Sequence, residues 1–245
     1  MKFGLIFSAL AVALVGSALV AECSAVAGVQ LYAAVSCAAL GIGYLSRRPA
    51  ILLKRGDGRF AWPSWLLFAP YHIFNHVFLE VFRRTSREPR WTEIVPGLWL
   101  GGRLRPWDEV KWKNETRLGR AANDAPSFSV LDVTGEFAEV QWLRAADSYL
   151  CQPMLDTTAP TTEQLRCGLD FIRERLAHGP VYVHCAFGHS RSATFVIAHL
   201  VAAGHSKTVT EAIAFTRSKR PRVRLNGEQL ESLDRFFNNP SASHE

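Results

Sequence analysis

The chain has 245 residues, 48% of them hydrophobic and 20% charged, enough apolar side chain to bury a core and too much for a disordered segment. Five cysteines are too few for a disulfide scaffold. The formal net charge of +6 falls entirely in residues 47–90, where nine Arg/Lys face Asp57, Glu80 and Glu88. Residues 1–46 and 91–245 are each neutral overall. A nucleic-acid binder would spread its basic charge over the folded domain, so that class is disfavoured.

Residues 3–21 and 23–46 are two uncharged runs of 19 and 24 residues. About 20 apolar residues span the hydrocarbon layer as a helix, so residues 1–46 read as a transmembrane helical hairpin turning at Glu22. Small residues recur every fourth position: Ala9, Ala13 and Ser17, then Ala33, Cys37 and Gly41. Such stripes let helices approach closely in lipid. A second reading of the first run is a cleaved signal peptide with Lys2 as its basic start. Either way the chain leaves the membrane on one side, which Arg47, Arg48, Lys54, Arg55 and Arg59 mark as cytoplasmic.

Residues 47–90 read as a basic juxtamembrane segment. Within it, residues 60–79 are uncharged but carry Pro63, Pro70, His72, Asn75 and His76. After Pro70, Ile73, Phe74, Val77, Phe78, Val81 and Phe82 share one helical face; His72, Asn75, His76, Glu80 and Arg83 share the other. This pattern predicts a helix lying in the membrane interface rather than a third crossing. The spacing of His72, His76 and Glu80 also suits a metal, but a solvated polar face is the simpler reading.

From Trp91 onward, short apolar runs alternate with helical patterns, which predicts an α/β catalytic domain over residues 91–245. Strands are expected at 97–102, 127–133, 149–155 and 181–184, and helices at about 162–177, 191–203, 209–218 and 227–237. Thr161 and Gln164 form a capping-box pair. Residues 238–245 are expected to fray.

Between the strand at 181–184 and the helix at 191 lies His184-Cys-Ala-Phe-Gly-His-Ser-Arg-Ser192. A strand-to-helix turn aims several backbone N–H groups at one point beside the positive end of a helix dipole, a nest for a tetrahedral dianion. Cys185 in that field would lose its proton readily and become a nucleophile. Arg191 could grip two phosphate oxygens bidentately. Gly188 permits close backbone approach, Ser190 and Ser192 add hydroxyls, and His184 braces the loop from behind. Ala186, Phe187 and His189 complete its binding surface. Phe187 either meets a lipid or packs, and His189 either donates to the ligand or sits at the rim. The basic run Arg217, Lys219, Arg220, Arg222 and Arg224 either faces anionic headgroups or is a solvated helix end.

The pattern His184-Cys-x5-Arg191-Ser192 resembles the signature loop of the cysteine-dependent protein tyrosine phosphatase superfamily, dual-specificity branch. The resemblance implies a dual-specificity-phosphatase-like domain with a central, mostly parallel sheet flanked by helices. It also implies two-step chemistry: Cys185 attacks phosphorus, Arg191 binds the equatorial oxygens, and Ser192 helps release the thiolate. An upstream acid is required, for which Asp156 is chosen over Asp132 and Asp170. Within that branch, residues 132–139, 155–161, and 181–185 with 190–194 are most similar to the membrane-associated phosphatidylglycerophosphate phosphatases of mitochondria. Gly135-Glu136-Phe137 departs in part from that group's acidic segment.

The expected function is therefore a membrane-anchored, multi-pass phosphatase with a cytoplasmic catalytic domain, acting on a phosphorylated protein or a phospholipid at an anionic membrane surface. No cofactor, metal or nucleic acid is implied, because the thiolate and Arg191 supply the charges of the reaction. Cys151 and Cys167 are expected to be packed rather than redox partners of Cys185. The alternative is a membrane-bound, phosphate-binding pseudophosphatase. The joint presence of Cys185, Asp156 and Arg191 argues against it, since binding alone needs neither nucleophile nor acid.

Overall fold

A computed structural model describes residues 2–116 and 128–238. The chain divides into two compact units: Met1–Arg55, Arg59–Ser86 and Gly135–Phe137 form the first, and Gly56–Gly58, Arg87–Thr134 and Ala138–Glu245 the second. The expected fray of the tail falls, but for Asn238, outside the described residues.

In the first unit, α1 (Lys2–Leu19) and α2 (Ser24–Leu45) are apolar and long enough to cross a membrane. They pack along each other, but the small-residue stripe of α1 is not the one the four-residue spacing predicts. Ala9, Ala13 and Ser17 are exposed, whereas Gly4, Ala11 and Ala18 are buried. Their seven-residue spacing follows the seam of a pair of helices wound about each other, in which the same face returns every two turns. A Cβ at Gly41 of α2 would stand 2.6 Å from Ser8 Oγ. Ser17 still contributes from the side, accepting a 2.9 Å hydrogen bond from Gln30.

The uncharged stretch that follows is two helices rather than one: α3 (Trp62–Leu67) and α4 (Ala69–Thr85) break at Phe68, with Pro70 in the first turn of α4. The pattern of α4 is inverted relative to a globular helix. Its His72 is buried, 3.0 Å from Ser64 Oγ and ringed by Phe60, Trp65, Phe68 and Tyr71. Ile73, Phe74, Val77, Phe78 and Val81 are exposed. His72, His76 and Glu80 do not converge on a common point. His72 faces Ser64, His76 Nδ1 meets the His72 carbonyl at 2.8 Å, and Glu80 pairs with Arg84.

The second unit is a mixed α/β domain. Its elements in order are β1 (Trp91–Val95), β2 (Leu98–Gly102), α5 (Glu109–Glu115), β3 (Ser129–Thr134), α6 (Gln141–Arg144), β4 (Ser148–Met154), α7 (Thr162–Leu176), β5 (Val181–Cys185), α8 (Arg191–Ala202), α9 (Val209–Lys219) and α10 (Gly227–Asn238). The strands form one sheet in the order β1-β2-β5-β3-β4. The β1–β2 pair is antiparallel and the other three pairs are parallel. Four of these strands match the expected ones; β1, α5 and α6 are additions.

Central strand β5 is buried along its whole length, as expected of a parallel sheet covered on both faces. Period-two alternation sends Val181, Val183 and Cys185 into the core built with Leu165, Ile172, Phe195, Val196 and Leu200. Tyr182 turns to the opposite face, against Trp112, Trp91 and Phe128. Its hydroxyl reaches over to the Gly102 carbonyl at 2.5 Å.

Side-chain caps set the starts of α7, α9 and α10. Thr161 Oγ1 accepts from Gln164 N–H while Gln164 Oε1 accepts from Thr161 N–H, the capping box read from sequence. Asn226 and Gln229 repeat this arrangement at the start of α10. Because β3, β4 and β5 run parallel, their carboxyl ends share one edge of the sheet, and open α/β sheets place their ligands there.

Candidate active site

The loop of residues 185–190 leaves the carboxyl end of β5 and enters α8 at Arg191. Gly188 makes its path possible. The residue has a positive φ of 72°, and a Cβ there would collide with the backbone of Gly101 in β2. Only glycine adopts this conformation without strain at so close an approach.

Cys185 is buried at the start of the loop, with 2% of its surface exposed. Gly188 N–H points at its sulfur from 3.3 Å and Ser192 Oγ from 3.2 Å. Burial opposes ionisation of the thiol, yet the Arg191 guanidinium, the Ser192 hydroxyl and the N–H groups of Ser192 and Gly188 outweigh it. Together they hold Cys185 below the ordinary thiol value. A sulfur biased towards its thiolate form, beside inward N–H groups and a guanidinium, is equipped to attack the phosphorus of a bound dianion.

Arg191 is itself buried. Its Nη1 donates to the Met154 carbonyl at 2.9 Å and its Nη2 lies 3.1 Å from Asp156 Oδ1. The end of β4 thereby brings a carboxylate, half-exposed to solvent, to the mouth of the loop. Asp156 sits in a tight turn whose next residue, Thr157, has a φ of 64°, a rare conformation for a β-branched side chain. Helix α10 secures that turn: Asn226 Nδ2 donates to the Thr157 carbonyl, Gln229 Nε2 to the Thr158 carbonyl and Ser232 Oγ to the Pro160 carbonyl. These anchors escape sequence inspection, since an Asn, a Gln and a Ser near a helix start read as ordinary capping residues.

The two rival acids are placed elsewhere. Asp132 is fully buried, accepting from the Tyr149 hydroxyl at 2.6 Å and from Thr134. Asp170 is exposed and pairs with Arg173. His184 lies behind the loop, its Nε2 2.9 Å from Glu139 Oε2. Among the described residues, Asp132, Glu139 and His184 are the three whose ligand-type atoms cluster within 4.8 Å. The short His184–Glu139 contact and the Tyr149–Asp132 hydrogen bond make this cluster a buried polar brace under β5. No other group of three or more such side chains approaches metal spacing among the described residues.

At the loop surface, Phe187 is half-buried, with its ring 6.1 Å from that of His189. Ala186 is buried and Ser190 half-buried. His189 Nε2 is 2.6 Å from Glu88 Oε2. The run Arg217–Arg224 fits neither expected role as a whole, because Arg220 is 2% exposed and bonded to the loop, and Arg217 Nε donates to the Val223 carbonyl. Cys167, expected to be packed, is exposed, while Cys151 is half-buried with its sulfur 3.8 Å from Asp132.

Residues 122–239 match the profile of the family described as "Dual specificity phosphatase, catalytic domain". The match takes in 118 of the chain's 245 residues and includes the loop at Cys185. The chain is 37% identical over 98 residues to the mouse (Mus musculus) protein "Phosphatidylglycerophosphatase and protein-tyrosine phosphatase 1", a match covering 39% of this chain and 50% of that one. It is 35% identical over 79 residues to "Phosphatidylglycerophosphate phosphatase PTPMT2" of Arabidopsis thaliana, covering 32% of this chain and 34% of that one. The chain thus spans about half or less of the length of these curated relatives. Among solved structures, PTPMT1 in complex with PI(5)P superposes with a TM-score of 0.53 at 24% identity, covering 63% of this chain and 98% of that one. Tk-PTP in its active form gives 0.52, also at 24% identity, covering 62% and 98%. These superpositions establish the fold.

Proposed function

We propose that this protein is a membrane-anchored phosphatase that hydrolyses phosphate monoesters through a phosphocysteine at Cys185, with a phospholipid headgroup such as phosphatidylglycerophosphate as its substrate. The observation that carries the chemistry is the Cys185 sulfur in contact with Gly188 N–H and Ser192 Oγ, beside an Arg191 that also reaches Asp156.

In the first step the Cys185 thiolate attacks phosphorus, the bond from phosphorus to the ester oxygen breaks, and Asp156 gives its proton to that oxygen. Arg191 links the two groups. A phosphate dianion competes with the Asp156 carboxylate for the same guanidinium, which places the acid beside the bound ester. In the second step water attacks phosphorus, the Asp156 carboxylate takes its proton, and the sulfur–phosphorus bond breaks. The departing thiolate is met by the Ser192 hydroxyl. Inorganic phosphate leaves, and the enzyme returns to its starting state.

Support for a lipid substrate comes from the names of the curated relatives and from the two apolar helices in the same chain. The nine basic residues of 47–90 suit an anionic leaflet, where each contributes about 1 kcal/mol. They also favour a hairpin whose ends, with the catalytic domain, lie on the cytoplasmic side. The exposed apolar face of α4 extends the membrane contact as an interfacial helix.

The test uses the full chain in mixed micelles. Wild type should release phosphate from p-nitrophenyl phosphate and from phosphatidylglycerophosphate, and Cys185→Ser should lose turnover while still binding vanadate. Turnover retained by Cys185→Ser rejects the phosphocysteine. A wild type that binds vanadate without turnover makes the protein a pseudophosphatase. Strong preference for a phosphotyrosine peptide over the lipid rejects the lipid substrate.

A further inference from the structure

An anion nest needs its N–H groups aimed inward, and a loop can hold them there only if its carbonyls find partners on the outside. The partners of four consecutive carbonyls are identifiable. Arg103 N–H donates to the Ala186 carbonyl at 3.0 Å, and Arg224 N–H donates to the His189 carbonyl at 2.8 Å. The two carbonyls between them share one guanidinium. Arg220 Nη2 donates to Phe187 O at 3.0 Å and Nε donates to Gly188 O at 2.9 Å.

The remaining nitrogen of this fork is also used. Arg220 Nη1 donates to the Pro89 carbonyl at 2.8 Å and reaches Thr92 Oγ1 at 3.2 Å. A guanidinium that is 2% exposed requires a counter-charge, and Glu88 supplies it with Oε1 3.5 Å from Nε. The other Glu88 oxygen is the one that meets His189. Glu88 therefore touches both the loop and the arginine that holds it.

We infer that Arg220 is a positioning residue for the phosphate-binding loop, turning the Phe187 and Gly188 peptide planes so that their N–H groups face the anion, with Glu88 as its aligning counter-ion. This rests on the loop being the phosphate site proposed above. Arg220 reaches the outer side of the loop, where Phe187 O and Gly188 O lie, and acts through the backbone. Without its guanidinium the two peptide planes lose their outer partners, and the Gly188 N–H that faces Cys185 loses its fixed direction. Lysine is a poor replacement, because one ammonium on a flexible stem cannot reproduce the planar fork.

The distinguishing readout is the pH dependence of Cys185 alkylation by iodoacetamide in the full chain, resolved by peptide mass spectrometry from the other four cysteines. Arg220→Met should move the alkylation midpoint upward by about one pH unit, because a thiolate loses a fixed donor. It should also lower kcat/KM for p-nitrophenyl phosphate on the order of 10²-fold, the usual cost of a displaced reacting geometry. Arg220→Lys should fall between Met and wild type. A folded Arg220→Met protein whose midpoint equals that of wild type overturns the inference, whatever its activity. Should that variant fail to fold, Glu88→Gln replaces it, with an upward shift of smaller size expected; an unchanged midpoint there overturns the inference equally. Alkylation does not depend on turnover, so a wild type without phosphatase activity would defeat the proposed function while leaving this measurement decisive.

Discussion

The two compact units solve opposite solvation problems. In the catalytic unit apolar side chains fill the inside, and the two buried arginines at the site have named partners: Arg191 has Met154 O and Asp156, and Arg220 has two loop carbonyls and Glu88. In the N-terminal unit α4 buries its polar His72 and leaves Phe74, 65% exposed, on the outside. The same chemistry of burial accounts for both arrangements under the proposal that the N-terminal unit meets lipid. Water rewards hidden hydrocarbon, whereas a lipid boundary rewards hydrocarbon on the outside and polar groups satisfied within.

Substitutions can sharpen or break this contrast, beginning in the catalytic unit. Arg191→Lys should reduce kcat/KM for p-nitrophenyl phosphate on the order of 10³-fold, because a single ammonium replaces a bidentate donor aimed at the transferring group. A loss under tenfold would place the anion grip elsewhere. Gly188→Ala should cost about 3 kcal/mol in urea unfolding of the catalytic unit, combining a strained φ with a backbone collision.

Smaller effects are expected where the unit's surroundings matter more than its interior. Phe74→Glu should weaken partition of the chain from detergent into anionic vesicles by about 2 kcal/mol, the value of one large apolar side chain. It should leave hydrolysis of soluble p-nitrophenyl phosphate unchanged. If partition does not respond, the outward face of α4 does not meet lipid, and the contrast between the units fails.

The smallest effect concerns pH. Burial, with the nearby charge of His205, pushes His199 down to about 4. Its folded-state value lies below the unfolded one, so its stabilising contribution is present above about pH 6.5 and is lost as pH falls towards 4. Between pH 7 and 5.5 the loss should be about 1 kcal/mol. The variant His199→Leu should show a flatter acid limb in denaturant titrations at matched pH values.

What the sequence displayed was whatever is local. The loop 184–192 is contiguous, so its chemistry is visible as a string, and the Thr161–Gln164 capping box is three residues wide. The place of Asp156 beside Arg191 was reachable because the residue lies two positions beyond a strand. The misses depend on what a residue meets far along the chain. Strand β1 has exposed Glu93 in its middle and little apolar alternation, and it is defined by pairing with β2. In the sequence Arg220 belongs to a basic run that suits either anionic headgroups or a solvated helix end, and only its bonds to Pro89, Phe187 and Gly188 reveal its buried place. The α1 stripe failed for a different reason. An Ala-rich helix offers several small-residue registers, and the partner helix selects among them.

Tyr182, whose hydroxyl reaches the Gly102 carbonyl beneath the loop, gives the catalytic unit a built-in optical reporter. Complete burial keeps this phenol well above its ordinary value, and burial together with Asp132 does the same for Tyr149. Both rings should therefore stay dark in the tyrosinate band near neutral and moderately alkaline pH. Their stabilising contribution is whole below about pH 10 and declines as alkali rises beyond it, since the unfolded chain gives up those protons first. An alkaline titration followed at that band would then show these two tyrosines ionising together with the collapse of the sheet, a spectroscopic clock for unfolding that needs no added label.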